Sequence, residues 1–312
     1  MKKLPTLFLI LMVSLCVFAG GSAENPKKAM DLTGLKIASP SGAPAIGLAS
    51  LAVENPDQYT FVAAETITAE FANGTSDFIV APINAGAKLF SMGKSSYKLG
   101  AVISWGNLFF ASQRPNFKLE DMDGADITLF GENTINASLA LYSLSKNGIE
   151  PKSVSYLASA ANTQQLLLTN PEAIVLTAEP ALTAAKTKKP EIQGYSLNSL
   201  YEMASGNNGF PQAGIFIKEE LIINSPEMVD AYLKAVKESC DRCSSDLESV
   251  ANAVVSLELL PSVGIGLKSI PNCAVRYVSA QEAREEIEQT ALIDIKQFGG
   301  VLPSLDFYYE TK

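Results

Sequence analysis

Three acidic residues stand where the sequence pattern ends a strand or begins a helix: Glu65, Glu132 and Glu179. Paired carboxylates can act as general acid and base, as in glycosidases. They can also hold a ligand that carries N–H donors or positive charge. An acid beside a helix N-terminus, such as Glu179 before Pro180, can equally do no more than favour the helix dipole. No further glycosidase pattern surrounds the three acids, so we favour ligand contact or a structural role over catalysis.

The sequence of 312 residues contains no histidine. Ser-His-Asp and Cys-His catalytic sites are therefore excluded, and Ser41 does not lie in the G-x-S-x-G pattern of a nucleophile elbow. Cys240 and Cys243 form a C-x-x-C pair inside a helical pattern, whereas a thioredoxin-like site needs a strand-to-helix junction. Adding Cys273 still leaves a zinc site one ligand short. We expect no metal or cofactor and structural cysteines, of which two would pair in an exported protein, with the pairing left open.

Two segments with the same plan would bring polar groups to one site. Strand–loop–helix patterns span 36–53 and 126–144, and each is followed by a strand–proline–helix unit, at 77–90 and from 173 onward. Two such halves facing each other would place four helix N-termini around one cleft. Free backbone N–H groups at helix N-termini bind polar ligands without charged side chains. The sequence therefore predicts a polar cleft between two similar halves.

The two leading loops consist of small and polar residues. The first, 39–44, lets a ligand approach the backbone, and Pro44 suits a first helical position. It matches neither the phosphate loop G-x-x-x-x-G-K-[ST] nor G-x-G-x-x-G. In the second loop, 131–134, Asn133 or Thr134 could equally be a plain helix cap. Aromatic residues at strand positions, such as Phe109 and Phe110, are more often core residues. We therefore keep only Trp105 and Phe210, both beside Gly and Asn, as candidates for stacking on a ligand.

Composition and charge restrict the class of protein. The chain is 47% hydrophobic and long enough for two lobes around sizeable cores. Its net charge of -9 and its four arginines argue against nucleic-acid binding, which needs a basic surface.

The N-terminus has the pattern of a secretory signal. Lys2 and Lys3 precede an apolar run over 4–19 and a small-residue segment, which predicts cleavage after Ala23. The run is short for a transmembrane anchor. Lipid anchoring through Cys16 is the other alternative, although the preceding Leu15 departs from the usual lipidation pattern. We expect an exported protein on the periplasmic or extracellular side of the membrane.

Strands and helices alternate from 35 to about 205, which is typical of a parallel α/β sheet. We predict lobe 1 over 24–112 and 213–312, lobe 2 over 113–212, and hinge strands at 108–112 and 213–218. Helices follow from 219, the last of them predicted over 281–298.

Several short motifs occur in an order that resembles one protein family. They are Pro40-Ser41-Gly42-Ala43-Pro44, Asp77 to Asn84 (DFIVAPIN), Trp105-Gly106-Asn107, Ala178-Glu179-Pro180, Phe210-Pro211-Gln212-Ala213-Gly214, and the tail Gly299 to Pro303 with Phe307-Tyr308-Tyr309. Together they resemble substrate-binding proteins of ABC importers, in the branch related to thiamine-pyrimidine, alkanesulfonate and nitrate binders. The resemblance covers essentially the whole chain after the signal.

The resemblance implies an α/β, two-lobed type II periplasmic-binding-protein fold, each lobe a mainly parallel sheet flanked by helices, with a two-segment hinge. It implies a monomer that delivers a small molecule to a membrane ABC permease with its ATPase. Carried onto this chain, the ligand-binding candidates are Ser41, Gly42, Ala43, Asn84, Trp105, Asn107, Gly131, Asn133, Thr134, Glu179 and Phe210.

The chemistry of these loops favours one class of ligand. None of the four arginines lies in a predicted pocket loop, where a doubly charged anion would need one. The acids and aromatic residues suit a small heterocyclic solute that is neutral or cationic. A sulfonate held by helix N-termini alone is an alternative. An enzyme of the pyrimidine-synthase or menaquinone-pathway type on the same fold, or a non-transport receptor, are alternatives for the function.

Overall fold

The computed structural model describes residues 30–311. The predicted signal segment 1–23 and Cys16 lie outside the described residues. The strands are β1 (Ile37–Pro40), β2 (Tyr59–Val62), β3 (Phe78–Pro82), β4 (Lys98–Ser104), β5 (Leu108–Ser112), β6 (Asp126–Phe130), β7 (Ser153–Leu157), β8 (Ile174–Ala178), β9 (Gln193–Ser196), β10 (Ala213–Ile217) and β11 (Val275–Ser279).

The helices are α1 (Ala43–Glu54), α2 (Ala69–Asn73), α3 (Ile83–Ser91), α4 (Ile135–Lys146), α5 (Ala160–Thr169), α6 (Ala181–Lys188), α7 (Leu197–Ser205), α8 (Glu219–Asn224), α9 (Pro226–Ser245), α10 (Leu247–Ser256), α11 (Val263–Ser269) and α12 (Arg284–Ile293). Short 3-10 turns include Ile295–Phe298 and Leu305–Phe307. No helix within residues 30–311 is both long enough and apolar enough to cross a membrane.

Two mixed sheets form the framework. The first has the strand order β11-β4-β10-β3-β1-β2, and the second has the order β7-β6-β8-β5-β9. Every residue of β1 and β10 is buried, because helices cover both faces of the first sheet. The pairs β1–β2, β1–β3, β6–β7 and β6–β8 are parallel, whereas β5 and β10 run antiparallel to their neighbours. The two-lobed α/β fold class predicted from the sequence is confirmed, but the sheets are mixed and not mainly parallel, because β5, β10 and β11 pair antiparallel with their neighbours.

The chain crosses between the sheets twice, and both crossings differ from the predicted hinge strands. The first crossing is 105–107, because β5 pairs with β8 and β9 of the second sheet. The second is 206–212, after which β10 enters the middle of the first sheet. The chain therefore passes to the second sheet before Leu108, whereas the predicted lobe boundary lies after Ser112. Strands paired on both sides are poor places for bending, and both predicted hinge strands, β5 and β10, are paired in this way.

The C-terminal helices return to the first sheet, with α9 and α10 packed on α1. The helix predicted over 281–298 is wrong as a single element. It is broken at Asp294, whose backbone is extended (φ -148°, ψ 81°), and the chain continues as the 3-10 turn Ile295–Phe298.

The three cysteines of the described part of the chain are buried, free thiols. Cys240 points to the carbonyl of Gly47 (3.7 Å), and Cys273 to that of Ser269 (3.3 Å). Burial raises the pKa of all three thiols, which keeps them protonated. The predicted disulfide is not formed here, and the thiols act as small core residues.

Candidate functional site

A cleft of about 570 Å³ lies between the two sheets, at the ends of the strands. Loops after β1 and β3 line it from the first sheet, and loops after β6, β7 and β8 line it from the second. Ligands of open α/β sheets bind outside the carboxyl ends of parallel strands. The volume lies within the range of about 300–1,000 Å³ that small-molecule sites occupy.

Five helices begin at this cleft. They are α1 and α3 from the first half and α4, α5 and α6 from the second, and residues of their first turns are in the lining. The N-cap residue of α1 is Gly42, at φ 116° and ψ -151°, a conformation that residues with a side chain rarely adopt. Neither α1 nor α3 has a side-chain cap. Ile83 N, the first of α3, donates to the carbonyl of Gln212 (3.1 Å), and the N–H groups that follow it in the first turn, like those of α1, remain open to a ligand.

The start of α4 is shaped by a hydroxyl that does not cap the helix. Thr134 Oγ1 donates to the carbonyl of Gly131 (2.6 Å), and no side chain accepts from the first N–H groups of α4. Gly131 has φ +70°, and a Cβ there would lie 2.8 Å from Thr134 Oγ1. The loop 131–134 is therefore held by its own hydrogen bond, and the N–H groups at the N-terminus of α4 stay open toward the cleft.

Glu179 is the buried acid of the cleft. Its carboxylate accepts from Thr183 N (3.0 Å) and Thr183 Oγ1 (2.8 Å), and 3% of the residue is exposed. Burial raises its pKa, while the Thr183 bonds and Lys186 oppose the rise. Its backbone N–H donates to the carbonyl of Asn107 (2.8 Å), and Asn107 Nδ2 donates to the Glu179 carbonyl (2.6 Å). The acid is thus fixed to the first crossing.

The raised pKa of Glu179 predicts a pH dependence of stability. A carboxyl whose pKa is raised in the folded state binds its proton more tightly there than in the unfolded state. The free energy of unfolding therefore falls as pH rises from the ordinary pKa of the carboxyl to its pKa in the folded protein. The variant Glu179→Gln lacks this loss. We expect its free energy of unfolding, relative to wild type, to increase with pH in urea titrations between pH 4 and pH 8. Glu132→Gln is the control, because Glu132 is exposed and outside the cleft lining. A constant difference for Glu179→Gln would contradict the prediction.

Acids are the ionisable residues of the cleft. Among residues 30–311, the lining contains Glu65 and Glu179 but no lysine or arginine. The helix N-termini add partial positive charge and N–H donors. The arrangement can therefore bind a solute through backbone donors and carboxylate acceptors that come from both halves.

The structure brings eight of the sequence-predicted site residues to the cleft: Ser41, Gly42, Ala43, Asn84, Asn107, Gly131, Thr134 and Glu179. Whether they contact a ligand stays a prediction. Three predicted residues are not in the lining. Asn133 is exposed, and its carbonyl accepts from Gln297 Nε2 (2.7 Å).

The two predicted stacking residues lie in the core. Trp105 is buried beneath the guanidinium of Arg276, which lies 4.0 Å from its ring centroid. Phe210 is fully buried and meets Tyr201 edge-on at 5.6 Å between centroids. The ring that the structure does place in the lining is Phe130, which is half-buried at the end of β6. The correction follows from packing, since both predicted rings fill space between the crossings.

Sequence reasoning left out several lining residues, including Phe130, Asn136, Ser159 and Gln212. Two had a readable signal. Phe130 directly precedes the glycine of the second loop, and Ser159 begins α5 as a cap that accepts from Asn162 N (3.4 Å). Gln212 had no such signal, because a long-range contact positions it. Its Oε1 accepts from Asn107 N (3.2 Å), 105 residues away in the chain.

Comparison with known proteins gives a fold. No protein-family model matches the sequence, and a search of the curated proteins finds no significant match. Among solved structures, the chain resembles an ABC transporter protein from Parabacteroides distasonis, with a TM-score of 0.77, 22% identity, and coverage of 89% of this chain and 99% of that one.

Two further solved structures belong to the same kind of protein. The periplasmic aliphatic sulphonate binding protein SsuA from Escherichia coli matches with a TM-score of 0.67 and 12% identity, covering 89% of this chain and 92% of that one. The ligand-binding component of an ABC-type import system from Staphylococcus aureus, with zinc bound, matches with a TM-score of 0.67 and 13% identity, covering 88% and 96%. The branch that the sequence motifs resemble thus reappears among the structural neighbours, and the periplasmic-binding fold is shown.

Proposed function

We propose that this protein is the solute-binding component of an ABC importer, capturing a small molecule in the cleft between its two halves. The observation that carries the proposal is the convergence of five helix N-termini, from both sheets, on one cleft of ligand size. The structural neighbours named above support the same role. The proposal includes export, a monomeric state and delivery of the solute to a membrane permease with its ATPase.

We further propose that the halves close around the solute by bending at the crossings 105–107 and 206–212. Gln212 N donates to the carbonyl of Ser104 (2.9 Å), so the two crossings lie side by side. Two adjacent connections form a hinge that permits rotation about one axis. The lobes of the proposal are those predicted from the sequence, with residues 108–112 moved to the second.

The solute we propose is small and heterocyclic, and neutral or cationic. Support comes from the acidic pair Glu65 and Glu179 and from the ring of Phe130, which can stack on a flat solute. The described lining residues include no lysine or arginine. An anion in the cleft would therefore face two carboxylates and find no cationic side chain to pair with.

A thermal-shift screen tests the solute class. We expect thiamine and an aminopyrimidine to raise the melting temperature, and ethanesulfonate and nitrate to leave it unchanged, because binding to the folded state stabilises it. Calorimetry then measures the affinity of each solute that raises the melting temperature. Stabilisation by ethanesulfonate or nitrate alone would overturn the heterocycle proposal and favour a sulfonate-type ligand.

A matched pair of variants shows whether binding occurs in the cleft. Ala161 is an exposed lining residue in the first turn of α5, and tryptophan there would fill the cleft. Ala161→Trp should abolish the thermal shift. Ala72→Trp is the control, since Ala72 is exposed on α2 outside the lining. An unchanged shift in Ala161→Trp would place the solute elsewhere.

A further inference from the structure

Residues 294–298, which follow α12, contact both halves of the molecule; this segment is called the latch. Ser138 Oγ of α4 donates to Asp294 Oδ2 (2.7 Å), and Gln297 Nε2 donates to the carbonyl of Asn133 (2.7 Å). These two bonds join the latch to the second half.

The other side of the latch belongs to the first half. The turn Ile295–Phe298 packs on α3, and Ser91 Oγ at the end of α3 lies 3.3 Å from the carbonyl of Phe298. The Phe298 side chain is buried in the main core. β11, before α12, lies in the first sheet, and Phe307, after the latch, packs beside Phe90, so the chain before α12 and after the latch is anchored in the first half.

The groups that the latch holds are next to the cleft. Asn133 lies between Gly131 and Thr134, which both line it. Ser138 also lies 3.3 Å from the carbonyl of Thr134, so the serine connects the latch to the first turn of α4. On the opposite side, the latch contacts Ser91 at the end of α3, the helix whose second residue, Asn84, lines the cleft. Opening the cleft therefore pulls on the latch bonds.

These contacts form a further link between the halves, separate from the two crossings and from the packing of α11 on α6. The helix α12 supports it by packing on α4, and Thr290 Oγ1 of α12 lies 3.3 Å from Tyr201 OH of α7. The break at Asp294 makes the link, because its extended backbone ends α12 and turns the chain toward α3. A continuous helix over this stretch would leave the second half without that bridge.

We propose that the latch holds the two halves together in the ligand-free protein and sets how readily the cleft opens. This inference rests on the proposed closure of the cleft. It assigns to Ser138, Asp294 and Gln297 a conformational role, and these residues are not in the cleft lining.

The test measures the separation of the halves without any solute. Nitroxides at Asn73→Cys in the first half and Lys152→Cys in the second, both exposed positions, report distance by pulsed electron resonance. The native thiols within residues 30–311 are buried, and protein without the added cysteines checks that no native thiol is labelled. We expect Ser138→Ala/Gln297→Ala to raise the population of the longer distance about 5-fold or more, as the loss of two hydrogen bonds predicts.

A matched control removes the same kinds of bond inside the second half. Ser145 Oγ bonds Glu150 Oε1 (2.9 Å), and Gln164 Nε2 bonds the carbonyl of Ala181 (2.6 Å). Ser145→Ala/Gln164→Ala should leave the distances as in wild type. If the latch variant matches wild type, or the control shifts as far, the inference is overturned.

Two features keep the test decisive. Gln297→Ala alone leaves α4 untouched, so a shift in the same direction is expected even if the double variant folds poorly; no shift in the folded single variant would count against the latch. Solute binding is judged separately by the thermal-shift screen. A failed latch therefore does not resemble a failed solute proposal.

Discussion

Replacing Phe210 by alanine is expected to lower the free energy of unfolding by about 3–5 kcal/mol. The ring is fully buried and packs edge-on against Tyr201, so its removal leaves a cavity between α7 and the second crossing. Urea denaturation monitored by circular dichroism measures the change. The affinity for a solute found by the screen should stay nearly constant, because Phe210 is outside the cleft lining.

Phe130→Ala is the matched comparison, since the same side chain is removed from the cleft instead of the core. We expect a smaller loss of stability and an affinity about 2- to 10-fold weaker, which corresponds to one aromatic contact. If Phe210→Ala weakened binding while leaving stability intact, the sequence-based stacking role of Phe210 would be right and the packing argument wrong.

Replacing Gly106 by alanine is expected to cost about 2–5 kcal/mol of unfolding free energy, from backbone strain together with overpacking. Gly106 has φ +85°, in the left-handed region. A Cβ there would clash with Asn198 Oδ1 and lie 2.7 Å from the Phe210 ring. Asn198 Nδ2 donates to the carbonyls of both Trp105 and Gly106 (2.7 Å each), so it cannot move aside without losing two bonds.

Gly124→Ala separates the two contributions. Gly124 has φ +67°, but a Cβ there would meet no atom within 4 Å. This control should lose only the backbone part, about 1–2 kcal/mol. Equal losses in the two variants, measured by urea denaturation, would show that the close packing at the first crossing is unimportant.

The loops at the strand ends could be predicted from local sequence. Gly42 and Gly131 stand between an apolar strand and a helical run, and each is now found at a cleft-lining helix start. Such signals are local, since they depend on backbone freedom and on the first turn of the next helix. The fold class followed from the same alternation.

The errors concern partners that are distant in the chain. Trp105 and Phe210 looked exposed because Gly106 and Gly209 stand beside them, yet those glycines let the two crossings pack closely. A Cβ on Gly209 would lie 2.8 Å from the Trp105 carbonyl. The second-sheet position of β5 likewise depends on its pairing with β8 and β9, which no local pattern encodes.

The five helix N-termini have a further consequence for closure of the cleft. Each helix N-terminus carries roughly half an elementary positive charge, so closing the cleft without a solute brings positive helix ends closer together. Each half carries its own counter-charge, Glu65 in the first and Glu179 in the second. A dipolar solute with a donor edge and an acceptor edge can pair with both the carboxylates and the helix N-termini. A simple ion pairs with only one of these two kinds of group and leaves the other unpaired.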